Sequence, residues 1–132
     1  MILIDSNILL DIVTKDPVWF EWSFEALASV AEDFKLCINP LIYAEASIRF
    51  ASPQEFDLTF PEATYMREPL PYAAAFVAGR AHLAYRRRGG TRTSPLPDFF
   101  IGAHAAISGF RLLTRDTTRY RTYFPSVELI AP

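Results

Sequence analysis

Four acidic residues stand where a carboxylate can do chemistry. Asp5 follows directly on Ile2-Leu3-Ile4, three large apolar residues that read as a fully buried strand. Asp116 lies just past Arg111-Leu112-Leu113-Thr114, a second candidate strand, and Asp98 opens a nearly all-apolar stretch running to Ser108. Glu45 sits one turn into a helix predicted after Lys35–Asn39. Each has an ordinary explanation: Asp5, Asp98 and Asp116 as helix or turn caps, and Glu45 as the solvent face of its helix. Their joint placement says more. In a parallel sheet, strand C-termini and helix N-termini share one edge, so all four acids converge on the cleft where the strand order reverses. Clustered carboxylates repel and hold protons unless a cation balances them. An all-oxygen set suits Mg2+ or Mn2+, and two such ions about 3.5–4 Å apart activate a water and stabilise the leaving oxygen of a phosphodiester. Ser6, Asn7 and Thr114 are small polar neighbours able to orient the carboxylates or bound waters.

The elements that must hold these acids follow from the pattern. Asn7 to Val13 starts a helix with Ser6 or Asn7 as cap. Asp16-Pro17 caps and opens a second helix, Val18 to Asp33, with an aromatic face of Trp19, Phe20, Trp22 and Phe24. Lys35–Asn39 is a short strand, and Leu41–Phe50 and Pro53–Phe60 are helices. Pro61 and Glu68-Pro69-Leu70-Pro71 mark loops. Tyr72–Arg88 is a helix ending in three arginines and stopped by Gly89-Gly90, as the helix dipole and C-cap favour. Asp98–Ser108 is a buried helix ended by Gly109. Arg111–Thr114 is a strand, a short helical turn carries Tyr120, and Val127–Ile130 is the last strand. Short buried strands between helices imply an α/β fold, a parallel sheet of four to five strands covered on both faces. No repeat or linker divides residues 1–132, which read as a single domain.

Composition narrows the function classes. The net charge of −2 gives no argument for nucleic-acid affinity by itself. The distribution is lopsided, however. Residues 1–66 hold 3 basic against 11 acidic side chains, and residues 67–132 hold 10 arginines against 4 acids. This fits either complementary halves pairing their surface charges or a phosphate-binding surface in the second half. Cys37 is alone, which excludes a disulfide framework and a cysteine-rich zinc site and suits a reducing cytoplasm. Asp5 and Asp11 interrupt the first apolar stretch, against a signal peptide, and no run approaches the roughly 18 apolar residues of a membrane span. The apolar surplus, with 51% apolar residues and 11 Phe, points to a protein interface on Val18–Val30, Leu41–Phe60 or both.

The sequence resembles the PIN-domain nucleases, and among them the VapC-like toxins of bacterial and archaeal toxin–antitoxin pairs. The resemblance rests on Ile2-Leu3-Ile4-Asp5-Ser6-Asn7-Ile8-Leu9-Leu10, Asn39-Pro40-Leu41-Ile42-Tyr43-Ala44-Glu45, Leu96-Pro97-Asp98-Phe99-Phe100-Ile101-Gly102-Ala103-His104-Ala105, Leu112-Leu113-Thr114-Arg115-Asp116 and Phe124–Ile130, in that order. It implies a three-layer α/β/α PIN-like, Rossmann-like fold and a metal-dependent endoribonuclease with Asp5, Glu45, Asp98 and Asp116 as its site. It further implies Asn7 and Thr114 in support, a homodimer and a cognate antitoxin that covers the site. His104 departs from the family's usual small residue and is expected to be a satisfied core or interface histidine, as is His82. Arg115, Arg119 and Arg121 are expected RNA contacts in an unusually basic and aromatic stretch, with Arg86–Arg88 as further candidates.

Two other classes compete. A phosphohydrolase with nucleophilic Asp5 needs a second Asp two residues on as general acid, and Asn7 stands there. A phosphoryl-aspartate receiver domain lacks its late lysine, because the only lysines are Lys15 and Lys35. A non-catalytic binding module is disfavoured by the complete set of four acids.

Overall fold

The computed structural model describes all 132 residues. Its order is β1 (Ile2–Ile4), α1 (Ser6–Thr14), α2 (Phe20–Asp33), β2 (Leu36–Ile38), α3 (Pro40–Ser47), α4 (Pro53–Thr59), β3 (Tyr65–Arg67), α5 (Tyr72–Arg87), α6 (Pro97–Ser108), β4 (Arg111–Leu113), α7 (Thr118–Tyr123) and β5 (Leu129–Ile130). The strands form one sheet in the order β3-β2-β1-β4-β5, and every neighbouring pair is parallel. The chain winds outward from β1 to β3, then crosses to β4 and β5, so the order reverses between β1 and β4. Right-handed crossovers in opposite directions put α1 and α2 on one face and α5 and α6 on the other. The α/β/α reading therefore holds.

β1 is the most deeply buried strand: Ile2, Leu3 and Ile4 have no exposed surface, and they pack with Leu36, Cys37, Ile38, Leu112 and Leu113. Ile4 pairs with Leu113, and the Asp5 N–H donates to the Leu113 carbonyl at 2.9 Å. Asp5 and Thr114 thus leave the sheet side by side.

The structure corrects several boundaries. A fifth strand, β3, lies where the sequence suggested only loop. It is a three-residue sheet edge with half-exposed positions, too short to show alternation. Arg67 anchors it by donating to the Phe60 and Tyr65 carbonyls and to Asp57. The cap of α1 is Asp5, as its ordinary explanation had it, rather than Ser6 or Asn7: its carboxylate accepts the Ser6 N–H, and the helix starts at Ser6. Asp16 makes a turn of its own, accepting from the Val18 and Trp19 N–H groups, so α2 begins only at Phe20. α3 ends at Ser47 rather than Phe50. Gly109 adopts φ 68, the left-handed C-cap that ends α6. Gly102 lies directly beneath the Phe124 ring, where a Cβ would collide.

α2 divides its apolar residues. Leu27 and Val30 are core and Trp22 packs against them, while Phe24 stacks on Phe20 and stays half exposed.

Candidate active site

Asp5 is 3% exposed at the C-terminal end of β1. Oδ1 accepts from the Ser6 N–H at 2.7 Å and from its hydroxyl at 3.4 Å. Oδ2 accepts from the Tyr120 hydroxyl at 2.8 Å, the Thr114 hydroxyl at 2.9 Å and, longer, Asn7 Nδ2 at 3.4 Å. Every donor is neutral. Burial, partly offset by these hydrogen bonds, pushes the Asp5 carboxyl from 3.8 up to about 6.

The other acids surround this carboxylate. Glu45, half-buried on α3, accepts from Ser6 Oγ at 3.0 Å, so one serine touches both Asp5 and Glu45. Asp98, in the first turn of α6, meets Arg119 Nη1 at 3.3 Å. Burial raises both carboxyls above the usual range, and the Asp98 charge adds to the rise of Asp5 and Glu45. The Asp116 charge acts likewise on Asp98. Asp116 itself is exposed, and its Oδ1 accepts from the Thr118 N–H at 3.4 Å in the turn before α7. The four acids predicted from sequence therefore share one electrostatic neighbourhood.

They do not converge tightly, for no three His, Cys, Asp or Glu side chains are close enough to cage a metal ion. That spacing still fits magnesium, which keeps several waters and is commonly held by one or two carboxylates. The donor set fits as well: it is all oxygen, with Asp5 buried and Glu45 and Asp98 partly so, and of the four only Asp98 meets a cation, Arg119.

Thr114 and Asn7 tie the edge together. The Thr114 hydroxyl donates to Asp5 and accepts from Asn7 Nδ2 at 3.1 Å and the Asp116 N–H at 3.2 Å. Asn7 Oδ1 accepts the Arg115 N–H at 3.3 Å. The polar residues chosen from sequence thus connect β1, α1 and the loop after β4.

Sequence reasoning missed two participants. Tyr120 is 1% exposed and gives Asp5 its shortest side-chain hydrogen bond, yet in the sequence it is one aromatic among three in a loop. Asp11, 2% exposed, accepts from Ser23 Oγ at 2.7 Å and Arg115 Nε at 2.8 Å. Its signal was visible as an acid on the apolar face of α1. Arg115, expected at RNA, pairs with Asp11 and lies over Trp19. Arg119 is exposed on Asp98, and Arg121 is exposed without an acidic partner.

The histidines separate. His104 is buried, and its Nδ1 faces Asn39 Nδ2 at 3.1 Å while Asn39 Oδ1 caps α3 through the Ile42 N–H. Burial keeps the imidazole neutral by lowering its pKa. His82 packs near Tyr85 and Phe99, but its buried Nδ1 has no partner, so the expectation of a satisfied histidine fails there.

A parallel sheet reversing at β1/β4, with acids on the reversal edge, is the layout of the PIN domain, and the PIN domain family model matches residues 2–125. The chain belongs to the PIN domain family. No curated protein sequence matches it. Among solved structures it is similar to a chain of VapBC2 from Rickettsia felis bound to a DNA fragment from their promoter, with TM-score 0.73, 17% identity, and coverage of 100% of this chain and 99% of that one. A chain of FitAcB from Neisseria gonorrhoeae gives 0.68 at 17% identity, covering 98% and 96%. A toxin–antitoxin complex from Klebsiella pneumoniae gives 0.64 at 21% identity, covering 96% and 95%. At such identities the likeness is one of fold.

Proposed function

We propose that this protein is a metal-dependent endoribonuclease, one domain over residues 1–132, acting as the toxin of a toxin–antitoxin pair in the cytoplasm. The observation that carries the reading is Asp5: a buried carboxylate held by neutral donors, with no cation of its own and three further acids around it. Asp5 and Asp98 would hold a divalent ion, Mg2+ or Mn2+, with Glu45 and Asp116 beside them. When bound, the ion supplies an activated water and neutralises charge on the scissile phosphate.

The chain's own residues do the positioning. Tyr120 and Thr114 fix Asp5 Oδ2, leaving Oδ1 shared only with Ser6. The Ser6 hydroxyl lies between Asp5 and Glu45, within reach of both carboxylates. Arg119 on Asp98 is the one protein cation among the acids and is free to exchange a carboxylate for a phosphate.

An antitoxin and a second copy of the chain are the expected partners. The supporting features are exposed apolar residues, Ile48 at 80% and Leu58 at 85%, and a pocket lined by Pro40, Tyr43, Ala44, Arg67, Glu68 and Pro69. No helix is long and apolar enough to cross a membrane.

The test is RNA cleavage with and without Mg2+ or Mn2+, scored by sequencing the cut ends. Wild type is expected to cleave only with metal, while Asp98→Ala, whose side chain is partly exposed, keeps its melting temperature and loses cleavage. Full cleavage by Asp98→Ala would overturn the reading. A non-catalytic PIN module, the alternative, predicts no cleavage and no metal effect on melting.

A further inference from the structure

Resting on the nuclease reading, we propose that the C-terminal end of α5, the loop after it and α7 form a single arginine ridge that binds the RNA backbone beside the acidic site. The sequence separates Arg86–Arg88 from Arg119–Tyr123 by some thirty positions, and the fold brings them together. Arg88 lies over the Tyr123 ring at 5.4 Å. Tyr85 and Tyr123 pack against opposite parts of Phe99, with ring centroids at 5.7 and 5.1 Å. The Tyr85 hydroxyl accepts the Arg92 N–H at 3.3 Å, and the Arg119 charge reaches Tyr85. The ridge runs into the acids directly, through Arg119 on Asp98.

The ridge is positive because nothing on the protein neutralises it. Arg86, Arg87, Arg88, Arg92 and Arg121 are all exposed, and none takes part in the chain's four ion pairs. Only Asp98 and Asp116 are acidic between residues 69 and 127. Two of these arginines are nonetheless held in place. Arg86 Nη1 donates to the Gly90 and Arg92 carbonyls at 3.2 Å, and Arg88 stacks on Tyr123. Both contacts fix a guanidinium without cancelling its charge. Capping α5 accounts for about half a charge at a helix C-terminus, met by Arg86 and Arg87, and leaves the rest unexplained. Fixed guanidinium groups leading into the acidic site suit a polyphosphate backbone.

The experiment measures binding of fluorescently labelled bulk transfer RNA to the full chain in chelator, where no cleavage intervenes, across a salt series. The variant is Arg87→Gln/Arg92→Gln/Arg121→Gln, three residues whose side chains make none of the chain's ion pairs; a second, Arg86→Gln/Arg88→Gln, removes the two anchored ones. Each lost phosphate contact lowers the slope of log affinity against log salt by about 0.7 for a single strand, so the triple variant is expected to lose about 2 from the slope. With metal, KM rises and kcat holds. Unchanged slope and KM in both variants, at wild-type melting temperature, would overturn the ridge. So would polyglutamate competing as well as RNA, since the surface would then read charge alone. If wild type shows the slope yet never cuts RNA with Mg2+ or Mn2+, the ridge stands and the nuclease reading falls.

Discussion

Asp5 and Asp11 lie six residues apart on the same α1 segment, and both are almost fully buried, at 3% and 2% exposure. Asp11 is paired within the protein: Ser23 and the Arg115 guanidinium both meet its Oδ2, and Trp19 covers the arginine. Asp5 has more hydrogen bonds but no cation, and its carboxyl is pushed up to about 6. Burying a charge is expensive unless it is paired. A fold that pairs one carboxylate and leaves its neighbour unpaired uses the first as a clamp. The second has no cation within the protein.

The comparison breaks most visibly at the clamp. Asp11→Ala removes one partner of a largely buried ion pair and the bond from Ser23, and is expected to lower the unfolding free energy by about 3 kcal/mol. Urea denaturation checks this. Arg115→Met, which keeps cover over Trp19 but leaves Asp11 buried without its cation, is expected to lose at least as much. A loss no larger than that of a surface pair, under about 1 kcal/mol, would mean that Asp11 is not a clamp.

The open carboxylate is tested by pH. The folded pKa of Asp5 lies above its unfolded value, so in the metal-free protein the folded state holds the proton more tightly. Stability contributed by that proton is fully present below about pH 4 and is lost as pH rises through about 6. Two pKa units correspond to about 3 kcal/mol. Wild type is therefore expected to fall by up to about 3 kcal/mol relative to Asp5→Asn between pH 4 and 7 in chelator. Mg2+ or Mn2+ is expected to reverse the fall, with a melting-temperature gain that grows as pH rises through about 6. Parallel pH curves for the two proteins would remove the distinction between Asp5 and Asp11.

How much of this was legible in the sequence depended on whether a residue's neighbours in sequence are its neighbours in space. β1, α6 and the edge of the sheet bearing Asp5, Asp98 and Asp116 were readable, because apolar runs and capping positions are local signals. β3 was not, because a three-residue edge strand has no periodicity and Arg67 masks it. The Asp11–Arg115 bond joins residues 104 positions apart, so Arg115 looked like a free phosphate ligand. Tyr120 lies 115 positions from Asp5, and nothing in Arg119-Tyr120-Arg121 distinguishes a buried phenol from a surface one. What gives it away is tertiary: α7 turns Tyr120 inward while its neighbours Arg119 and Arg121 stay exposed.

Tyr120 also gives the smallest and most discriminating prediction. Tyr120→Phe keeps the ring that fills the core and deletes only the donor to Asp5 Oδ2. A hydrogen bond to a charged group contributes about 1.5–3 kcal/mol, and Thr114 and Asn7 still face the same oxygen, so a loss of about 1.5 kcal/mol at neutral pH is expected. Because the phenol lowers the Asp5 pKa, its removal moves the carboxyl further up. The metal-induced melting gain should then require a higher pH. At a fixed pH below about 6, where the proton competes with the metal, it should also need more Mg2+. A tyrosine that merely filled space would leave the metal titration unmoved in the phenylalanine variant. One that competed with the metal for Asp5 would make the variant bind metal more tightly. Only a positioning role weakens both stability and metal response while leaving the Asp11 clamp, read by Arg115→Met in the same background, additive with it.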